Sequence, residues 1–256
     1  MKIHWVSELR GKYAGKPIWV SGSDPTLDGF PDGFEIGKTM IALNSAYFKF
    51  PKATYTYSDE YFAVTRLLGA RPEYGERPHI FAWPLGWSDG NHNAKTEALF
   101  PQIPDVHWVR LRPYPPRGNR DDILGRVGWD GMKMAARRAK EGDSSAFGGY
   151  GTCLHACLLV AILMGGNPIN VIGCGHKMFG KRLHFGSDGK REAGGVYVPD
   201  WCPPKEIWKV GGSIQASIKD QWRYVRRGTA ALIKGAAEVG VSINRINNYG
   251  EAKSLK

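Results

Sequence analysis

Cysteine is scarce, with four residues in a chain of 256. That is too few for a disulfide framework in a domain of this size. Cys153 and Cys157 are spaced for one face of a helix, while Cys174 and Cys202 stand alone. A metal would need His176 or Cys202 to join the pair. The neighbours Leu154, Leu158 and Leu159 read as plain core, so reduced, buried thiols and no metal site are expected. Long apolar runs are missing as well. The longest, Ala156–Met164, falls short of the roughly 18–20 residues that a membrane span requires. The opening MKIHWVSELRGK lacks the apolar core and small-residue cleavage site of a secretory signal, and a cytoplasmic location is expected.

Acidic residues are in deficit, 24 against 35 basic ones, which leaves a net charge of +11. Anionic partners fit such a chain: nucleic acid, phosphorylated small molecules or an anionic surface. The basic residues gather in Arg110–Arg126, Lys133–Lys140, Lys177–Arg191 and Arg223–Arg227 rather than in one tail. No internal repeat, low-complexity tract or linker interrupts the sequence. A single domain over residues 1–246 is expected, with a loop-rich insertion at 84–130 and a loose tail at 247–256.

What is present is a series of short β-type runs that end in turn residues. They are Ile18–Val20, Thr39–Leu43, Ala53–Tyr57, His79–Trp83, His107–Leu111, Ile169–Ile172 and Val241–Ile246. Helical patterns lie between some of them. Leu154–Met164 is apolar all round and should be buried. Residues 214–239 carry Ile214, Ile218, Trp222, Val225, Leu232, Ile233 and Ala236 at helical spacing, although Gly228 and Gly235 weaken the interior. A shorter basic helix is expected over Asp130–Lys140. The pattern predicts an α/β, Rossmann-like fold: a largely parallel twisted sheet flanked by helices, with long middle loops.

In open parallel sheets, ligands bind outside the carboxyl ends of the strands. Three early strands here end in small polar residues, at Ser21–Thr26, Asn44-Ser45 and Ser58-Asp59. Turns of this kind can offer backbone N–H groups and short hydroxyls to a phosphate or ribose. The first has neither the Gly-Lys-Ser/Thr ending of a P-loop nor the three-glycine dinucleotide fingerprint. A second candidate, Gly148–Thr152, precedes the buried helix, where Gly151 allows close approach and Thr152 can cap an anion-favouring N-terminus.

The strings GSDPTL, IALNSAYF and TYSDEYF, followed later by GTCLHACLLVAILMGGNPINVIGCG and AALIKGAAEVGVSINRIN, carry a resemblance. In two separated blocks the chain is similar to the 6-hydroxymethylpterin diphosphokinase-like domain family and to the bacterial lipooligosaccharide sialyltransferases. The resemblance implies that Gly22, Ser23, Pro25 and Thr26 form a nucleotide-contacting turn, with Asn44 and Thr152 beside it. Ser23-Asp24 replaces the family's Asn-Gly, which places a carboxylate where an anionic nucleotide would lie. Gly175 stands where the family usually has Asp.

The sialyltransferase relatives use a loop histidine as general base on the acceptor hydroxyl, a task suited to a pKa near neutrality. The resemblance thereby makes His184, and after it His176, the candidate catalytic histidines. Lys177, Lys181, Arg182 and Arg191 are candidates to neutralise a leaving phosphate. Asp59, Asp24 and Asp188 are candidate acids, bases or Mg²⁺ ligands. No Asp-x-Asp motif occurs, which counts against the common metal-dependent glycosyltransferases. The leading expectation is a transferase moving a sugar from a nucleotide-sugar donor by direct displacement. That reaction needs no cofactor, although Mg²⁺ is compatible with it. The donor turns would comprise Gly22, Ser23, Asp24, Pro25, Thr26, Asn44, Ser58, Gly151 and Thr152, with His184, His176 and Asp59 as the catalytic set. The alternatives are a Mg-ATP-dependent pterin-type diphosphokinase, and a protein that binds or modifies DNA or RNA through basic and aromatic residues such as Trp108, Tyr114, Trp129, Trp222 and Tyr224.

Overall fold

A computed structural model describes residues 2–58, 76–84, 105–111, 120–143, 153–175, 192–193, 196–197 and 214–254. Its centre is one sheet of eight parallel strands. In chain order these are β1 (Lys2–Trp5), β2 (Ile18–Ser21), β3 (Thr39–Leu43), β4 (Tyr55–Ser58), β5 (His79–Pro84), β6 (Asp105–Leu111), β7 (Ile169–Ile172) and β10 (Ile243–Arg245). A separate antiparallel pair joins β8 (Glu192–Ala193) to β9 (Val196–Tyr197). Among the described residues four α-helices accompany them: α1 (Arg120–Glu141), α2 (Cys153–Leu163), α3 (Ile214–Glu238) and α4 (Tyr249–Ser254).

The spatial order is β1-β6-β5-β4-β3-β2-β7-β10. From β2 the chain steps outward through β3, β4, β5 and β6, then returns to place β7 on the other side of β2. The segment β4-β3-β2-β7-β10 is therefore the doubly wound, Rossmann-like arrangement, and its reversal of direction falls between β2 and β7. The expected α/β fold with a parallel sheet is the observed one.

Strand periodicity sorts the core into two faces. Ile18, Val20, Ile41, Leu43, Tyr55, Tyr57, Ile169 and Val171 face a cluster built with α1, α2 and α3. Trp19, Met40, Ala42 and Ile172 face the opposite cluster, with Leu27, Phe30, Phe34, Tyr47 and Phe50. Helix α2 is buried along almost its whole length and packs on β2, β3, β4 and β7, which explains why it is apolar all round. The two glycines of α3 serve close approach rather than flexibility. A methyl group at Gly228 would strike the His155 ring, and one at Gly235 the Lys133 backbone of α1. His155 is buried on α2 and its Nε2 lies 3.0 Å from Thr229 Oγ1 of α3, so the helix layer is joined by a polar contact as well.

Several boundaries differ from the sequence expectation. Strand β6 extends the expected run His107–Leu111 back to Asp105, while helix α1 begins at Arg120, ten residues before Asp130 and within the stretch read as a loop-rich insertion. Ile123 and Val127 do have helical spacing there, but Gly125, Gly128 and Gly131 obscure it, since glycine disfavours a helix interior. Strand β1 carried no distinct signal and owes its place to parallel pairing with β6. Residues 249–254 form α4 rather than a loose tail. Asn248 accepts the Glu251 N–H at 3.0 Å and also donates to the Glu251 carboxylate, so the helix starts on a side-chain cap. Ala252 is buried, and Tyr249 packs edge-on against Phe30 and Phe34. No helix among the described residues is long and apolar enough to cross a membrane.

Candidate functional site

The carboxyl ends of β4, β3, β2 and β7 lie side by side, so the three polar strand ends share one edge of the sheet with the Gly173–Gly175 turn after β7. Between β2 and β7 the two turns are in intimate contact. The Gly22 N–H donates to the Ile172 carbonyl at 2.9 Å and the Asp24 N–H to the Gly173 carbonyl at 3.0 Å. Gly22 is the residue this contact requires. A Cβ there would sit far inside contact distance of the Gly173 carbonyl oxygen and the Cys174 sulfur.

Pro25 begins a short 3₁₀ helix (Pro25–Gly29), and Asp24 is its N-cap. The buried Asp24 carboxylate has both oxygens occupied. Oδ1 accepts the Thr26 N–H at 2.8 Å and the Thr26 hydroxyl, and Oδ2 accepts the Gly175 N–H across the crevice. The Leu27 N–H donates to the Asp24 carbonyl at 3.2 Å. The N–H groups of Gly22, Asp24, Thr26, Leu27 and Gly175 are therefore all engaged within the chain. The turn does not hold these donors out to an anion, contrary to the expectation from sequence. Each Asp24 oxygen thus accepts a hydrogen bond from within the chain, and the side chain caps its own turn while tying it to the turn after β7. Ser23 and Thr26 are partly exposed at the rim.

Asn44 follows β3 and is the one non-glycine among the described residues with a positive φ, 46°. Such a conformation is sparsely populated and is found where the surroundings enforce it. Its side-chain N–H reaches Cys153 Sγ at 3.7 Å, at the first turn of α2. Its amide oxygen is buried and has no hydrogen-bond partner. A buried acceptor left empty carries a desolvation cost that a donor from a ligand would remove. The α2 N-terminus adds a partial positive charge at the same place. Ser58, at the end of β4, is fully buried. It contributes to the floor of the edge rather than to an accessible surface.

The nearby thiols are not poised for chemistry. Cys174 is pushed up to about 12, first by burial and then by the charge of Asp24, and burial raises Cys157 as well. Cys153, Cys157 and Cys174 form no disulfide among the described residues. Among the described residues, no three His, Cys, Asp or Glu side chains form a metal-binding group. The candidate residues Asp59, Gly151, Thr152, His176, His184 and Asp188 lie outside the described residues.

Sequence reasoning located the edge of the sheet and Asn44. It missed the closure of the opening turn by Asp24, because the partner at Gly175 is 151 residues away. The signal for half of it was present. Asp followed two residues later by Thr, with Pro between, is an N-cap pattern. The chain matches no family model, no curated protein and no solved structure.

Proposed function

We propose that this protein is a nucleotide-dependent transferase whose nucleotide-linked donor lies across the carboxyl ends of β2, β3 and β7. The transferred group is a sugar, moved by direct displacement. The acceptor oxygen attacks the anomeric carbon, the bond to the nucleotide's phosphate breaks, and the nucleotide leaves with the added negative charge. His184, with His176 as second candidate, takes the acceptor's proton on this reading. The type of reaction rests on the sequence resemblance. The place of binding rests on Asn44, a left-handed residue at the end of β3, one strand from the switch point, whose buried amide oxygen has no hydrogen-bond partner.

A thermal-shift screen of nucleotides and nucleotide sugars, with and without Mg²⁺ and with a short DNA, tests it. A ligand that binds only the folded chain raises the melting temperature by mass action. Stabilisation by a cytidine or uridine nucleotide is expected. Asn44→Gly should abolish it, since that variant keeps the left-handed backbone and removes only the amide. Stabilisation by ATP only with Mg²⁺ would overturn this reading in favour of a diphosphokinase. A response to DNA alone would move the function to the exposed Arg137, Arg226, Arg227 and Lys234 of α1 and α3.

A further inference from the structure

The Asp24 carboxylate occupies the kind of position that a bound phosphate takes in other open α/β sheets. It lies just beyond a strand end at the switch point and is ringed by backbone N–H groups and a hydroxyl. It is buried, with a fractional exposure of 8%. It accepts from Thr26 twice and from Gly175 once, which joins the two turns on either side of the crevice. Among the described residues no lysine or arginine pairs with it, and the partners that hold its charge are two backbone N–H groups and a hydroxyl. The Arg245 guanidinium donates to the Cys174 carbonyl at 3.4 Å, beside this arrangement rather than within it.

We propose that Asp24 is a built-in anion that fills the junction of β2 and β7 and so determines specificity. The group of the ligand seated against this junction is uncharged, such as a ribose, base or sugar ring, and phosphate is turned away from it. This rests on the nucleotide reading above and sharpens it by giving the donor an orientation. Two effects act together. The donors a phosphate would use are already engaged, and a fixed negative charge in a partly desolvated crevice repels a second one.

Asp24→Asn and Asp24→Ser test the idea, since each removes the charge and leaves an N-cap side chain to hold Thr26. Thr26→Val serves as the control that loosens the same turn and keeps the charge. Affinities for uridine, cytidine, their 5′-monophosphates and 5′-diphosphates, and inorganic pyrophosphate are measured by calorimetry on the full chain, with folding checked by melting curves. For both Asp24 variants, affinity for the diphosphates relative to the nucleosides should rise at least about tenfold, the discrimination one close like charge provides. Pyrophosphate, without effect on the wild type, should bind both variants. Thr26→Val should leave the ratio unchanged.

Three results would overturn the proposal while leaving the nucleotide reading in place: an unchanged ratio in both Asp24 variants, tight pyrophosphate binding by the wild type, or the same gain in Thr26→Val. If neither nucleosides nor nucleotides bind the wild type or any variant, the reading and the proposal fall together.

Discussion

The two ends of the parallel sheet bury charge in opposite ways. At the carboxyl end, the carboxylate of Asp24 is held by backbone N–H groups and one hydroxyl, with every oxygen satisfied. At the amino end, side chains balance one another. Lys12 donates to the Tyr55 hydroxyl at 2.8 Å, which lies 3.2 Å from that of Tyr13. His107 Nε2 lies 3.4 Å from the Asp105 carboxylate, and His4 stacks on the His107 ring. Asp105 Oδ1 and His107 Nδ1 are buried and make no hydrogen bond. Dipoles fixed by the backbone hold one charge in one geometry, as a binding site requires. Mutually balanced side chains tolerate imperfect pairing and respond to pH.

The first and largest way to break this contrast is at Gly22. Gly22→Ala drives a methyl group into the Gly173 carbonyl and Cys174, and should cost about 3 kcal/mol or more, enough to impair folding. Gly29→Ala, in the same turn but with open space around it, should stay within about 1 kcal/mol by urea unfolding. Equal losses at the two positions would mean that the junction is not tightly packed.

The second concerns pH and His79 at the amino end. Burial lowers its pKa from the ordinary 6.5 to about 3. The unfolded chain therefore binds the proton first. The stability linked to the neutral ring is complete above pH 6.5 and is lost as pH falls towards 3, at up to about 1.4 kcal/mol per unit. Urea midpoints measured across that window should fall in the wild type and flatten in His79→Gln, whose side chain does not titrate. An unchanged slope in the variant would place the pH response elsewhere.

The third and smallest compares the two carboxylates directly. Asp24→Ala removes a cap and orphans three donors, which should cost about 2 kcal/mol. Asp105→Asn, partly exposed and without a hydrogen bond at Oδ1, should change stability by no more than about 0.5 kcal/mol. Similar losses would erase the difference between the ends.

How much of this was legible follows from the range of each interaction. Ile18–Ser21, Thr39–Leu43 and Ile169–Ile172 announced themselves because buried parallel strands are short apolar runs bounded by turns. Cys153–Leu163 did so because a helix against a sheet's centre is apolar all round. Strand β1 was silent: Lys2–Trp5 takes its conformation from β6, a hundred residues later. At the site, the polar strand ends and Asn44 could be read locally. The positive φ of Asn44, its empty acceptor and the Asp24–Gly175 bond belong to the folded arrangement alone.

The aromatic face of the sheet joins segments far apart in the chain. The helix-covered face closes with β10, using Ile243 and the segments before it. The opposite face gathers Phe30, Phe34 and Phe50 early in the chain, yet it is completed only by Ile246, Tyr249 and Ala252. The short helix α4 acts as a stopper: its Tyr249 ring sits edge-on against Phe30 and Phe34, so residues from near the start of the chain are sealed by residues from beyond β10.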